Sequence, residues 1–307
     1  MYTVTIVGGG EITAGYDNPK SKSIITHLHG ALKHPKIKID AVIETNIKRQ
    51  KYIIKKWGKN IHIFSNLKES LIKNKSDIFV IANPTQKHFK TIEYLLSIHN
   101  PKLIICEKPI VSNYIELNNL NNLEIRSKTK IITNFSRRFE LSLNTLKKEI
   151  LKSKTQYHFY GTFSKGLIHN GCHMIDLISM LIGNIFKLDA IEYDIIDKDF
   201  FGKFLIETKN CNGVISNINT KKLSVFELTI FTANAKFEII SSEKKIIIND
   251  VSSSINFKNY DNYFFKSKLK NTFNKSAYNT FDYAIKLIED TNIYKQFKFE
   301  QNNINKI

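Results

Sequence analysis

Cysteine is scarce in this chain of 307 residues: three, at Cys106, Cys172 and Cys211, odd in number and widely spaced. That spacing supports neither a disulfide framework nor a CxxC metal site, and it suits a reducing cytoplasm. Long apolar runs are missing as well. No window of about 18 apolar residues occurs, so no membrane span is expected. The chain opens Met1-Tyr2-Thr3-Val4-Thr5-Ile6-Val7. It lacks a charged n-region and a small-residue cleavage site there, so no signal peptide is expected. No Gly/Ser-rich linker separates the halves. Acidic residues are outnumbered 28 to 46 by Lys and Arg, which leaves a formal net charge of +18. The lysines are nevertheless spread along the chain, without a dense basic block, an RNP-like aromatic-basic segment, a zinc finger or a heptad array. Neither a nucleic acid nor a membrane is therefore expected as a partner, and the diffuse positive field suits an anionic small molecule.

What is present begins with size. The length is comfortable for two domains, and 42% hydrophobic residues supply real cores. Thr3 to Val7 is a β-branched run that ends in Gly8-Gly9-Gly10, the start expected of a dinucleotide-binding unit. Gly8 allows the tight turn. Gly10 allows close approach of a pyrophosphate, and the helix that follows, from Glu11 and Ile12, offers its N–H groups. The third glycine of GxGxxG falls on Thr13, which predicts looser or shifted helix–strand packing. The strand Ile37 to Ile43 ends at Glu44, where an acidic side chain holds a ribose hydroxyl and repels a 2′-phosphate. NAD is therefore expected over NADP, although Lys48 and Arg49 lie close by.

Strands and helices then alternate. Helices are expected at Ile24 to Leu32, Ile47 to Trp57, Asn66 to Ile72, Thr85 to Ser97 and Tyr114 to Leu123. Strands are expected at His62 to Phe64, Asp77 to Ala82, Lys102 to Cys106 and Lys130 to Thr133. This rhythm predicts a doubly wound parallel sheet, with ligands at the carboxyl ends of its strands. Those ends are Gly8 to Gly10, Glu44, Asn83-Pro84-Thr85 and Glu107-Lys108-Pro109. The pattern changes near residue 125. Gln156 to Phe163 reads as a strand and His169 to Ile182 as a helix. Alternating runs follow at Lys187 to Ile195, Phe204 to Thr208, Gly213 to Ile218, Phe226 to Phe231, Phe237 to Ile240 and Lys245 to Ile248, which suggest antiparallel strands of one sheet. Asn274 to Asp290 reads as a closing helix, and Lys295 to Ile307 as a polar, peripheral tail. The expected fold is α/β: a Rossmann domain over residues 1–124, then an α/β domain with a mostly antiparallel open sheet over 125–307.

Five stretches in order resemble one family. They are Gly8-Gly9-Gly10-Glu11-Ile12, Pro84-Thr85-x-x-His88, Glu107-Lys108-Pro109, Asn134-Phe135-Ser136-Arg137-Arg138-Phe139 and Gly171-Cys172-His173-Met174-Ile175-Asp176. Together they resemble the glucose–fructose oxidoreductase / inositol dehydrogenase (Gfo/Idh/MocA) family. The loop Ala14-Gly15-Tyr16-Asp17 resembles members found in surface-polysaccharide and nucleotide-sugar pathways.

The resemblance implies hydride transfer between nicotinamide and a sugar or nucleotide-sugar carbon, by a homo-oligomer (dimer or tetramer). It implies His173 as acid/base and Lys108 as the donor that polarises the substrate oxygen; the reverse division stays open. Glu11, Ile12, Asn83, Pro84, His88 and Glu107 join the cofactor set, and Asn134, Arg137 and Asp176 the substrate set. Arg137 and Arg138 also read as a solvated pair at a helix start, and Asp176 as a structural hydrogen-bonding partner. Many members carry aspartate where this chain has His169. His169 shares a helix face with His173 by spacing and is included in the site, but it cannot act as a fixed anion. His169-x-x-x-His173 lacks a third ligand, so no metal is expected. The alternative to an enzyme is a catalytically silent NAD-binding sensor of the same fold, motivated by His169 and Thr13.

Overall fold

The computed structural model describes residues 1–153, 157–220, 222–242 and 244–304. The chain forms two compact units. One is Met1–Phe139 together with the segment from Asn274 onward, and the other is Glu140–Phe273. A break at 124/125 would fall inside a helix, and the C-terminal helices belong to the first unit rather than the second.

In the first unit β1 (Tyr2–Val7), α1 (His27–Lys33), β2 (Ile37–Ile43), α2 (Ile47–Trp57), β3 (Ile63–Phe64), α3 (Leu67–Lys73), β4 (Ile78–Ile81), α4 (His88–Ile98), β5 (Leu103–Cys106), α5 (Tyr114–Ser127) and β6 (Lys130–Thr133) follow in order. The six strands order as β3-β2-β1-β4-β5-β6, all parallel. That is the Rossmann order. Alternate residues of each strand feed opposite faces. Ile78 and Val80 of β4 join Val4, Ile6 and Leu28 on one side. Phe79 and Ile81 join Ile92, Leu95, Leu117 and Leu120 on the other. With both faces covered, the central strands β4 and β5 read as unbroken apolar runs. The helices start where the sequence supplies caps: Asn46, Asn66 and Asn113 accept from the backbone N–H three residues on, at 3.2, 2.9 and 2.9 Å. Each such cap contributes about 1 kcal/mol.

In the second unit α6 (Leu141–Lys152), β7 (Tyr157–Ser164), α7 (Cys172–Ile182), β8 (Ile185–Ile196), β9 (Asp199–Thr208), β10 (Cys211–Ile218), β11 (Phe226–Phe231), β12 (Ala235–Ile240), β13 (Lys245–Ser253) and β14 (Asp261–Leu269) follow. Gln156, expected to open β7, lies outside the described residues. The eight strands order as β14-β13-β12-β11-β7-β10-β9-β8. The β7–β10 pair is parallel, and the other neighbours are antiparallel. Helix α7 sets Met174 against the sheet, where a Cβ on Gly161 would stand 3.2 Å from its sulfur. Sequence reasoning leaves out α6 and β14. Six successive residues of β14 are solvent-exposed, so no alternation marks it.

The chain then returns to the first unit through α8 (Ser276–Glu289) and α9 (Thr291–Ile304). Gly30 of α1 lets α8 come close: a Cβ there would stand 2.7 Å from the Ala277 backbone. The tail expected to be peripheral is instead, as far as Ile304, a helix clamped on the edge strand β6; the residues after Ile304 lie outside the described ones. Gln301 accepts from Thr133 N at 2.9 Å and donates to Thr133 O at 2.6 Å. Lys298 donates to Ile131 O at 2.9 Å. Lys130 reaches back to Leu287 O at 2.6 Å and Ile288 O at 3.0 Å, at the end of α8. An edge strand with open N–H and C=O groups invites foreign pairing, and these side chains occupy them. Among the described residues no helix is long and apolar enough to cross a membrane.

Candidate active-site residues

The parallel register brings the four expected strand ends, and that of β6, to one rim of the first unit. Backbone bonds continue past the strands: Gly8 N to Ile43 O (2.8 Å), Ala82 N to Val7 O (2.8 Å), Glu107 N to Ile81 O (2.8 Å) and Asn134 N to Cys106 O (2.7 Å). Gly8 has φ +103°, and a Cβ there would lie 2.6 Å from Ala82 O. Only glycine fits that turn. Gly10 differs. A Cβ on it would meet nothing within 4 Å, so its Cα faces open space. Nothing in the protein demands glycine at 10, whereas a pyrophosphate lying against the backbone would.

Thr13 does not loosen this turn. It is fully buried, and its Oγ1 donates to Gly8 O at 2.6 Å. The hydroxyl closes the loop that a third glycine would have closed by packing. The helix that follows is a single wide turn, Glu11–Gly15, in which Tyr16 N bonds to Glu11 O. Ile12 is half-buried and Glu11 exposed on it.

Glu44 accepts from Gly9 N at 2.8 Å and from Asn46 N at 2.7 Å, so both carboxylate oxygens are fixed at the tip of β2. Arg49 on α2 is already engaged. Its Nε donates to Gly9 O, its Nη1 pairs with Glu11 at 2.8 Å, and its guanidinium carbon lies 4.5 Å from the Tyr52 ring centre.

After β4, His88 is 1% exposed. Its Nε2 lies 2.7 Å from Asn83 O and its Nδ1 3.0 Å from Pro109 O. The expected cofactor ligand is thus buried between two rim segments, with one carbonyl facing each ring nitrogen. Asn83 in turn donates to Thr91 Oγ1 at 2.9 Å, and Pro84 continues the same turn.

Glu107 and Lys108 follow β5, both half-buried, with a cis Lys108–Pro109 bond. Glu107 Oε1 accepts from His27 Nε2 at 2.7 Å and from Asn134 Nδ2 at 2.7 Å. Burial alone would raise the Glu107 carboxyl. The His27 hydrogen bond and charge, the Asn134 amide and the Lys108 charge outweigh it, and the group stays below the usual carboxylate range. Asn134, expected among substrate ligands, is 93% removed from solvent and turns its amide N–H to Glu107 instead. Arg138 is likewise internal, paired with Glu300 at 3.0 Å. Arg137 is the half-exposed member of the two.

In the second unit the wide turn Leu167–Gly171 precedes α7. Gly171 N bonds five residues back to Gly166 O at 3.1 Å. The i, i+4 face expected to align His169 with His173 is an α-helical argument, and a turn of this width does not keep it. His169 is exposed, His173 half-buried and Asp176 1% exposed. Sequence reasoning missed Asp199. Its carboxylate accepts from Ile168 N (2.7 Å), His169 N (3.0 Å) and Phe200 N (2.8 Å). Gly166 leaves it room: a Cβ there would stand 1.9 Å from Asp199 Cγ. An anion does stand at this turn, supplied from the first residue of β9. No motif spacing could have found it, nor His27, which sits eighty residues from Glu107. Among the described residues no group of three or more His, Cys, Asp or Glu is placed to hold a metal ion.

Residues 2–135 match the model of the Gfo/Idh/MocA family, described as an oxidoreductase family with an NAD-binding Rossmann fold. No curated protein matches the chain at a significant level. Among solved structures, the chain is similar to a mutant of KijD10, a 3-ketoreductase from Actinomadura kijaniata in complex with TDP-benzene and NADP. The identity is 10%, the match covers 99% of this chain and 95% of that one, and the TM-score is 0.74. It is similar to the dehydrogenase MviM from Clostridium difficile at 14% identity, over 100% and 99% of the two chains, with TM-score 0.69. It is also similar to a WlbA dehydrogenase from a Chromobacterium species, in complex with NADH and UDP-GlcNAcA, at 13% identity over 78% and 73%, with TM-score 0.65. At these identities the likeness concerns the fold.

Proposed function

We propose that this chain, which belongs through residues 2–135 to the NAD-binding Gfo/Idh/MocA oxidoreductase family, uses NAD to oxidise or reduce a carbon of a sugar or nucleotide-sugar. The observation that carries the reading is the rim itself: an open face at Gly10 beside a carboxylate fixed at Glu44. Bound nicotinamide would supply hydride exchange with a substrate carbon. The chain's own residues hold the cofactor and manage the proton. Gly8, Gly10 and the N–H groups at Glu11 and Ile12 suit a pyrophosphate. Glu44 suits a ribose hydroxyl, and its charge disfavours a 2′-phosphate. Arg49, the cation that would reverse this, already serves Glu11 and Gly9 O. Asn83, Pro84 and His88 shape the neighbouring rim. Lys108 donates to the substrate oxygen and His173 takes or returns the hydroxyl proton. His169 and Asp176 lie on the same wide turn and helix as His173. Arg137, the half-exposed member of its pair, suits a substrate carboxylate or phosphate. The compartment in this reading is the reducing cytoplasm. A homo-oligomer fits the exposed apolar residues of β8, where Phe186 is 67% and Ile195 64% exposed.

The test is NAD reduction, and NADH oxidation with keto forms, across a panel of sugars and nucleotide-sugars. Lys108→Ala should lower turnover by about 100-fold or more while cofactor affinity changes little. NADP should bind at least about 10-fold more weakly than NAD, equivalent to about 1.4 kcal/mol. Binding of NADH without turnover of any panel member, with Lys108→Ala changing only cofactor affinity, would replace the enzyme by a silent NAD-binding sensor. Tighter binding of NADP would overturn the role given to Glu44.

A further inference from the structure

We propose that His27 is a positioning residue for the Glu107–Lys108 pair: its Nε2–H, with the Nδ2–H of Asn134, clamps Oε1 of Glu107 and keeps that carboxylate anionic and oriented beside Lys108. The functional half of this inference rests on the oxidoreductase reading above; the structural half does not. Both donors reach the same oxygen at 2.7 Å, one from the start of α1 and one from the end of β6. Two bonds from different directions on one oxygen fix the rotation of the carboxylate. A carboxylate only accepts, so the His27 hydrogen sits on Nε2. His27 Nδ1 has no partner among the described residues. His27 is 2% exposed, so water does not compete for its bond.

The placement of His27 is itself built. Asp17, 6% exposed, accepts from Ile25 N (2.6 Å), Thr26 N (3.1 Å), Thr26 Oγ1 (2.5 Å) and His29 Nδ1 (2.9 Å). Those bonds hold residues 25 and 26 out of the helix, and Thr26 then caps it through His29 N at 3.3 Å. Helix α1 therefore starts at His27, not at Ile24 as the sequence pattern predicts. Its first side chain is delivered to the rim.

The charges facing Glu107 agree with this arrangement. His27 and Lys108 both favour the anion, and the Asn134 amide adds a neutral donor. On its own strand, the Cys106 thiol is pushed well up, by burial first and then by the Glu107 charge. The neighbour thus stays protonated and adds no second anion.

The experiment labels glutamate side-chain carboxyls with 13C and follows Glu107 through pH in the full chain, with Glu107→Gln assigning its signal. The native group should titrate below the ordinary glutamate range. His27→Leu should raise the midpoint by about one pH unit, because one of its hydrogen bonds is lost while burial persists. His27→Gln, which restores an N–H donor, should bring it back towards the native value. In parallel, NADH affinity at neutral pH should fall several-fold in His27→Leu and recover in His27→Gln. An unchanged Glu107 midpoint in a folded His27→Leu protein would overturn the proposal. Should that variant not fold, the native protein decides alone: a 15N spectrum showing His27 with no hydrogen on Nε2 overturns the proposal, and one showing Nε2–H supports it. A native chain that binds no NADH sinks the cofactor reading, while the Glu107 titration still decides the role of His27.

Discussion

The two units hold their polar groups by different means. In the first, the two rim carboxylates have partners distant in sequence, Glu107 in His27 eighty residues away and Glu44 in Gly9 N thirty-five away. In the second, the turn before α7 is fixed through its backbone N–H groups, by the one carboxylate of Asp199 at the start of β9. The difference follows from the sheets. A parallel sheet gathers the ends of strands that lie far apart along the chain, so its rim is non-local by construction. Most antiparallel pairs of the second sheet join successive strands, and the tight β8–β9 hairpin sets Asp199 at the turn before α7. A rim built of distant partners should respond sharply to backbone changes, whereas a capped turn should lose only its cap.

The largest effect should come from Gly8→Ala. It places a Cβ 2.6 Å from the Ala82 carbonyl at φ +103°, where backbone rather than a flexible tip must move. We expect a loss of about 3 kcal/mol or more, read by denaturant unfolding, together with loss of NADH binding. A small effect would show that the rim is more compliant than its geometry implies.

Asp17→Asn should come next. Burial opposes the Asp17 charge, but bonds from Thr26, Ile25 and His29 more than offset it and hold the carboxyl below its usual range. The sign follows directly. The folded value lies below the unfolded one, so this stabilisation is complete above the unfolded value and is lost as pH falls through the folded one. Asp17→Asn should therefore lower stability by about 2 kcal/mol near neutrality. The gap in Tm to the native protein should close on acidification below the usual aspartate range. A gap that stays constant with pH would deny Asp17 its charge-based role.

The smallest effect should be that of Gly166→Ala in the second unit. The Asp199 side chain can swing away from the new Cβ, so only its hydrogen bonds are lost, at about 1–2 kcal/mol. A loss as large as that of Gly8→Ala would erase the contrast between the two units.

Much of this was legible along the chain. Helix α2 and strands β2, β6 and β11 stand where periodicity and caps place them, because each depends on its own side-chain spacing. The four rim stretches were legible because glycine, proline and charge interrupt apolar strands there. The start of α1 was not, since Asp17 acts on it from outside any helical window. The last helix was misread as a tail because its polar residues, Gln301 and Lys298, face the edge of a strand rather than water. The pair Arg137-Arg138 looks alike in sequence, and the fold separates them by burying Arg138 against Glu300.

By itself, then, the sequence determined the parallel sheet, its glycine turn, the acidic tip at Glu44 and the Glu107-Lys108-Pro109 stretch, because those depend on local apolar runs and the residues that end them. The tertiary structure alone decided that Thr13 closes the glycine loop, that Asn134 and His27 serve Glu107, that His88 lies buried between Asn83 O and Pro109 O, and that Asp199 caps the turn carrying His169. Each of these is a hydrogen bond whose partner the fold selects, and no spacing rule along the chain encodes which donor will meet which acceptor.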